Sequence, residues 1–175
     1  EDAARVPEHR NLAVIRGKGF EAMREVIGSE PAKTPDEGEA RVHATAGAVA
    51  IGARFPLIAF NVNLDTDDVA LAQRIAVEIR EKDGGLRCVK AIGLRLDDGA
   101  AQVSMNLTDY RVTSPADVVA AIAARAADAG VSIRESEVVG LLPQDVLVRL
   151  AHSELHATAF TRDQVLEARV LDTLL

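Results

Sequence analysis

Between Leu57 and Val139 the apolar residues change their spacing repeatedly, from every second position to every third or fourth and back, and few folds accommodate that order. Residues 57–64 alternate as a strand does, with Ile58, Phe60, Val62 and Leu64 on one face and Leu57, Ala59, Asn61 and Asn63 on the other. Val69, Ala72, Ala76 and Ile79 then repeat at helical spacing behind the capping residue Thr66 and two acids, Asp67 and Asp68, that suit the positive end of a helix dipole. Gly84-Gly85 closes that pattern. Residues 88–96 and 101–107 predict two strands joined by Asp97-Asp98-Gly99, because Asp-Gly favours the positive backbone dihedrals of a tight hairpin. In the second of them Val103, Met105 and Leu107 alternate with Gln102, Ser104 and Asn106. Ser114-Pro115 opens a second helix, carried by Val118, Ile122, Ala126 and Ala129 to Gly130, and residues 131–139 predict a fourth strand.

Strand, helix, strand, strand, helix, strand is the split βαβ order. It predicts an α+β fold: a ferredoxin-like βαββαβ antiparallel sheet with two helices on one face. Pro143 with Val146, Leu147 and Leu150, and the capping-box-like start Thr161-Arg-Asp-Gln164, predict extra C-terminal helices. On the other side of the sheet region, Phe20, Met23 and Ile27 form a helical stripe. Pro31, Pro35 and Gly38 then read residues 28–47 as an extended linker.

Composition removes several functions. The 175 residues carry 20 Lys+Arg against 27 Asp+Glu, a net charge of −7, and the basic residues are scattered singly, so the phosphate-tracking stripe of a nucleic-acid binder is lacking. Aromatic residues make up 3% and Trp is absent, so a base-stacking RNA sheet is disfavoured; Asn61, Asn63, Ser104 and Asn106 stand at the positions such a sheet gives to aromatics. No stretch approaches the roughly 18 apolar residues of a membrane span, and no export signal is visible. The one cysteine, Cys88, precludes an internal disulfide and fits a reducing, cytoplasmic setting. The chain opens on Glu1 rather than Met, which points to sequence upstream.

With both helices on the apolar face, the opposite face should present Asn61, Asn63, Ser104 and Asn106 side by side. Asn is a poor strand former, so its use at alternate positions of a central strand asks for a reason. One reading is a neutral hydrogen-bonding floor for a heteroaromatic or amide-bearing ligand; the other is solvent exposure or packing against a partner.

Several segments closely resemble the formiminotransferase family: Arg10-Asn-Leu12, Phe20-Glu-Ala-Met-Arg-Glu25, Thr45-Ala-Gly-Ala48, Gly52-Ala-Arg54, residues 57–64, Val103-Ser-Met-Asn-Leu-Thr-Asp-Tyr110 and Glu137-Val-Val-Gly-Leu-Leu-Pro143. Their order matches without gaps over roughly residues 8–150. The resemblance implies a glutamate formimidoyltransferase, which transfers the formimino group of N-formimino-L-glutamate to tetrahydrofolate in histidine degradation, giving 5-formimidoyltetrahydrofolate and glutamate. In that family two ferredoxin-like subdomains face each other across a folate-holding tunnel, and a homodimer is expected. Residues 1–30 then correspond to the end of an N-terminal subdomain, 31–50 to a folate-site linker, 51–156 to the C-terminal subdomain and 157–175 to a helical extension.

The same resemblance implies that the folate-binding stretch is Gly38, Glu39, Ala40, Arg41, Val42, His43, Ala44, Thr45, Ala46 and Gly47, although Glu39 to Val42 departs from the family's pattern. Tetrahydrofolate would be a co-substrate, with no metal. The family's proton-shuttling histidine lies in a segment without counterpart here, so no catalytic residue is assigned and this chain alone is expected to be inactive. The alternative is a non-catalytic folate- or amino-acid-binding regulatory module of the same fold.

Four other candidates have two readings each. His43 either lines the tunnel or serves the linker. Arg54 either meets a substrate carboxylate or is a strand-edge charge. His152 and His156 stand one helical turn apart, but Glu154 is misplaced for a zincin pattern, which favours a solvated helix face over a metal site. Cys88 lacks a neighbouring base and reads as a small core residue rather than a nucleophile.

Overall fold

The structure, a computed structural model, describes residues 4–154 and 156–174. The chain divides into two compact units, Glu1–Phe55 and Pro56–Leu175.

The first unit is built from short pieces. A 3-10 turn at Pro7–His9 precedes α1 (Leu12–Arg16), capped by Asn11 accepting from the Ala13 N–H, and α2 (Phe20–Val26) follows. Its described residues bury no side chain below the surface, so polar clasps stand in for a core. His9 Nδ1 lies 3.0 Å from an Asp36 carboxylate oxygen and its Nε2 lies 3.0 Å from the Pro31 carbonyl, both pure acceptors. Lys33 Nζ donates to the Val14 and Ile15 carbonyls that end α1. Residues 28–47 are not the uniformly extended linker expected from their prolines. A 3-10 turn occupies Pro31–Lys33, and His43 and Gly47 pair through backbone hydrogen bonds of 3.0 and 3.1 Å. Proline at the first position of a 3-10 turn loses only an N–H that has no partner there.

The second unit has the expected order: β1 (Ile58–Leu64), α3 (Val69–Ile79), β2 (Val89–Arg95), β3 (Ala101–Leu107), α4 (Pro115–Asp128), β4 (Ile133–Val139), α5 (Gln144–Glu154) and α6 (Leu166–Leu174). The sheet runs β2-β3-β1-β4 with every neighbouring pair antiparallel, which is the ferredoxin-like arrangement. Ile58, Phe60, Val62 and Leu64 of β1, with Val103, Met105 and Leu107 of β3, are buried against Leu71, Ile75 and Ile79 of α3 and Val118 and Ile122 of α4. Val146 of α5 joins that core. At Gly93 on β2 the sheet and α3 come so close that a Cβ would lie 2.3 Å from the Gln73 backbone nitrogen.

Local signals were mostly honoured. Gly99 turns the hairpin at φ +89°, and Ser114 and Asp117 make a reciprocal capping box at α4. Three expectations need correction. The cap of α3 is Asp68, accepting from the Leu71 N–H at 3.0 Å; Thr66 accepts from the Asp68 N–H one step earlier. The Thr161–Gln164 capping box is present but opens a 3-10 turn, Arg162–Gln164, and α6 begins only at Leu166. Cys88 is a half-buried turn residue at φ +61°, not a core residue. Its N–H donates to Glu81 and its carbonyl accepts from Thr108.

Candidate functional site

The antiparallel register converts strand alternation into rows of side chains that cross the helix-free face. One row runs Ile92, Ser104, Asn61, Glu137; the next runs Leu94, Gln102, Asn63, Glu135; a third brings Lys90, Asn106, Ala59 and Val139 together. Asn61, Asn63, Ser104 and Asn106 therefore do share a face, but it is not neutral. Glu135 and Glu137 enter it from β4, a correction to the uncharged floor. Their alternation in Arg134-Glu-Ser-Glu137 was visible in the sequence, yet only the register shows that they face the two asparagines.

The rows differ in how much they leave open. Asn63 and Gln102 are only 6% and 5% exposed. Gln102 Nε2 donates to Asn63 Oδ1 over 2.8 Å and Asn63 Nδ2 donates to Glu135 over 3.1 Å, so that amide is used at both ends. Arg134 pairs with Glu135 at 3.3 Å and with Asp98 of the β2–β3 turn at 3.0 Å, which closes that end of the face. The Asp98 carboxyl is held below the usual carboxylate range, first by the Ala100 backbone N–H and then by Arg134. In the neighbouring row Asn61 is half-buried and donates from Nδ2 to Glu137 Oε2 over 3.0 Å, while Ser104 is half-buried and Ile92 exposed.

The first unit has its own hollow, of about 390 Å³, lined by Arg24, Ile27 and residues 40–44. It thus gathers the middle of the Gly38–Gly47 stretch against the end of α2. Within that stretch the His43 ring Nδ1 accepts from the Ala46 N–H at 3.0 Å and the Thr45 N–H at 3.3 Å, which places a neutral ring's proton on Nε2. Arg41 is paired with Glu39, and the Arg24 guanidinium sits 5.1 Å from the Phe20 ring centre. Arg54 is exposed.

A smaller hollow of about 180 Å³ in the second unit, between the segment Tyr110–Pro115 and α5, was not anticipated. Its two guanidiniums are already matched, Arg111 by Asp109 and Arg149 by Asp145. Arg111, as hydrogen-bond donor, holds the Asp109 carboxyl low. The two C-terminal histidines do not share a helix face. The helix ends at Glu154, His156 lies beyond it at φ +52°, and half-buried His152 donates from Nε2 to the Phe160 carbonyl. Among the described residues no group of three or more His, Cys, Asp or Glu side chains is arranged to hold a metal ion, and no helix is long and apolar enough to cross a membrane.

Comparison with known proteins places these surfaces in context. Residues 59–165 match the family model described as formiminotransferase domain, and residues 1–54 match that of its N-terminal subdomain. The chain is 43% identical over 173 residues to glutamate formimidoyltransferase of Streptococcus pyogenes serotype M1, covering 98% of this chain and 58% of that protein. It is 42% identical over 172 residues to the glutamate formimidoyltransferase of Thermoplasma acidophilum, covering 97% and 56%. With formimidoyltransferase-cyclodeaminase of Rattus norvegicus it shares 34% over 157 residues, 86% of this chain and 29% of the relative. The chain thus spans little more than half the length of the first two relatives. A family model that matches most of the second unit, over a ferredoxin-like sheet, makes this chain a member of the formiminotransferase family.

Proposed function

We propose that this chain is the folate-binding part of a glutamate formimidoyltransferase that passes the formimino group of N-formimino-L-glutamate to tetrahydrofolate. The observation that carries the reading is the similarity to two proteins of that name over 98% and 97% of the chain. In the reaction a bond forms between N5 of tetrahydrofolate and the formimino carbon. The bond from that carbon to the glutamate nitrogen breaks, one proton leaves N5, and one reaches the departing nitrogen. A group titrating near neutrality suits that transfer. None is assigned among these residues; the role falls to a histidine outside them, and the chain by itself is inactive.

Two surfaces support the binding role. The open row of the sheet combines an apolar end with amide, hydroxyl and carboxylate groups, which suits a flat, polar-edged ring. Taken by itself, the Gly38–Gly47 stretch, with Arg24 beside it, suits a carboxylate-bearing ligand through guanidinium–carboxylate pairing. A homodimer in the cytoplasm accompanies this reading.

Formimino transfer followed by absorbance with the full-length protein tests it. Turnover is expected with both substrates present and with neither alone. A protein that neither turns over nor binds tetrahydrofolate overturns the proposal. Turnover by the 175-residue chain itself would overturn the placement of the proton-transferring group outside it.

A further inference from the structure

Resting on the folate-binding reading, we infer that Glu137, oriented by Asn61, is the carboxylate that receives the 2-amino and ring N–H donors of the pterin of tetrahydrofolate, and that Glu135 is not. The two glutamates look equivalent in sequence, one position either side of Ser136. Their surroundings separate them. Glu135 is bonded through one oxygen to both Asn63 and Arg134, in a row whose middle members are buried. Glu137 takes one bond, from Asn61 to Oε2, and its Oε1 has no hydrogen-bond partner among the described residues.

Hydrogen-bond direction sets the ligand chemistry. Asn61 spends an N–H on Glu137, and beside that pair the Asn61 Oδ1 is an acceptor while the Ser104 hydroxyl can accept or donate. At its Glu137 end the row therefore offers a carboxylate that only accepts, and the complementary ligand edge there carries donors. From Ile92 to Glu137 the row crosses four strands, about 14 Å at the usual spacing between neighbouring strands. That length takes a flat bicyclic ring with its apolar face toward exposed Ile92 and its donor edge at Glu137. N-formimino-L-glutamate fits less well. It brings two carboxylates to a row that holds one, and Arg134, the cation in the next row, is engaged by Asp98 and Glu135.

The test is Glu137→Gln in the full-length protein, with tetrahydrofolate affinity read by calorimetry and the KM for N-formimino-L-glutamate read separately. A carboxylate accepting two donors contributes enough that its loss should weaken tetrahydrofolate binding about ten- to a hundredfold. The KM for formiminoglutamate should stay within about twofold, and Glu135→Gln should leave tetrahydrofolate affinity within about threefold. An analogue lacking the 2-amino group should bind wild type more weakly than tetrahydrofolate does, and should lose little more on Glu137→Gln. Unchanged tetrahydrofolate affinity in Glu137→Gln overturns the inference while leaving the folate-binding reading standing. So does a rise confined to the formiminoglutamate KM, or an equal loss in Glu135→Gln. Wild type that binds no tetrahydrofolate overturns both.

Discussion

Asn61 and Glu137, 76 residues apart in the chain, are joined by a hydrogen bond of 3.0 Å from Nδ2 to Oε2 across the β1–β4 register. The bond orients a central-strand amide that would otherwise rotate freely. It also explains why a poor strand former is tolerated there, since Asn61 is matched across the strand by a charged acceptor.

Replacing Asn61 by Leu removes that bond and an acceptor from the open row while keeping the branching of the side chain at Cγ. Tetrahydrofolate affinity should fall about tenfold or more, as expected for a hydrogen bond to a charged group. Stability should change by less than about 1 kcal/mol, because the site is half-exposed. Calorimetric titration and urea unfolding of the same preparation check both, and full retention of affinity would show that the face only packs.

Gln102→Leu should behave in the opposite way. It strands the Oδ1 of Asn63, which is 6% exposed, without its donor. The expected cost is about 1–3 kcal/mol of stability. Affinity measured well below the unfolding midpoint should be almost unchanged. A large affinity loss without destabilisation would place the ligand over the closed row instead.

Gly93→Ala tests the contact between β2 and α3. The added Cβ would meet Gln73 N at 2.3 Å and Ala72 C at 2.6 Å, both backbone atoms that cannot rotate away. Destabilisation of about 1–3 kcal/mol or more is expected from overpacking, seen as a lower urea midpoint. A neutral result would mean that α3 stands farther from the sheet.

Asp98 links stability to acid. Its carboxyl is held below its ordinary value of 3.8 by the Ala100 N–H first and Arg134 second. A depressed carboxyl contributes stability that is fully present above the unfolded-state value and is lost as pH falls through the lower folded-state one. Asp98→Asn should therefore flatten part of the decline in melting temperature below about pH 4 and lower it slightly at pH 7. Because the pair is exposed, the effect is small and should shrink further in high salt. Parallel melting curves for wild type and variant between pH 3 and pH 7 would refute it.

Residues close together in the chain were legible in advance where one local rule acted alone. Gly99 in the hairpin and Ser114 at the α4 cap needed only the positive-φ preference of glycine and the acceptor hydroxyl of serine. Where two nearby residues compete for one role the reading failed, as when Asp68 rather than Thr66 capped α3. His152 and His156 failed for a different reason. Spacing of four implies a shared face only while the helix continues, and it stops at Glu154.

The sequence by itself determined the order of strands and helices, because alternation of period two and spacing of 3.6 are written in neighbouring residues. It also determined which face of β1 and β3 is apolar, and it carried the family's segments in their family order. What only the tertiary structure decided is which polar groups meet. Register placed Glu137 against Asn61 and Glu135 against Asn63, and the fold brought Arg134 to Asp98 and thereby closed one row while leaving the next open. Those pairings join residues 36 to 76 positions apart. They depend on how the sheet closes under the burial of its core, a property of the whole second unit that no local window of sequence contains.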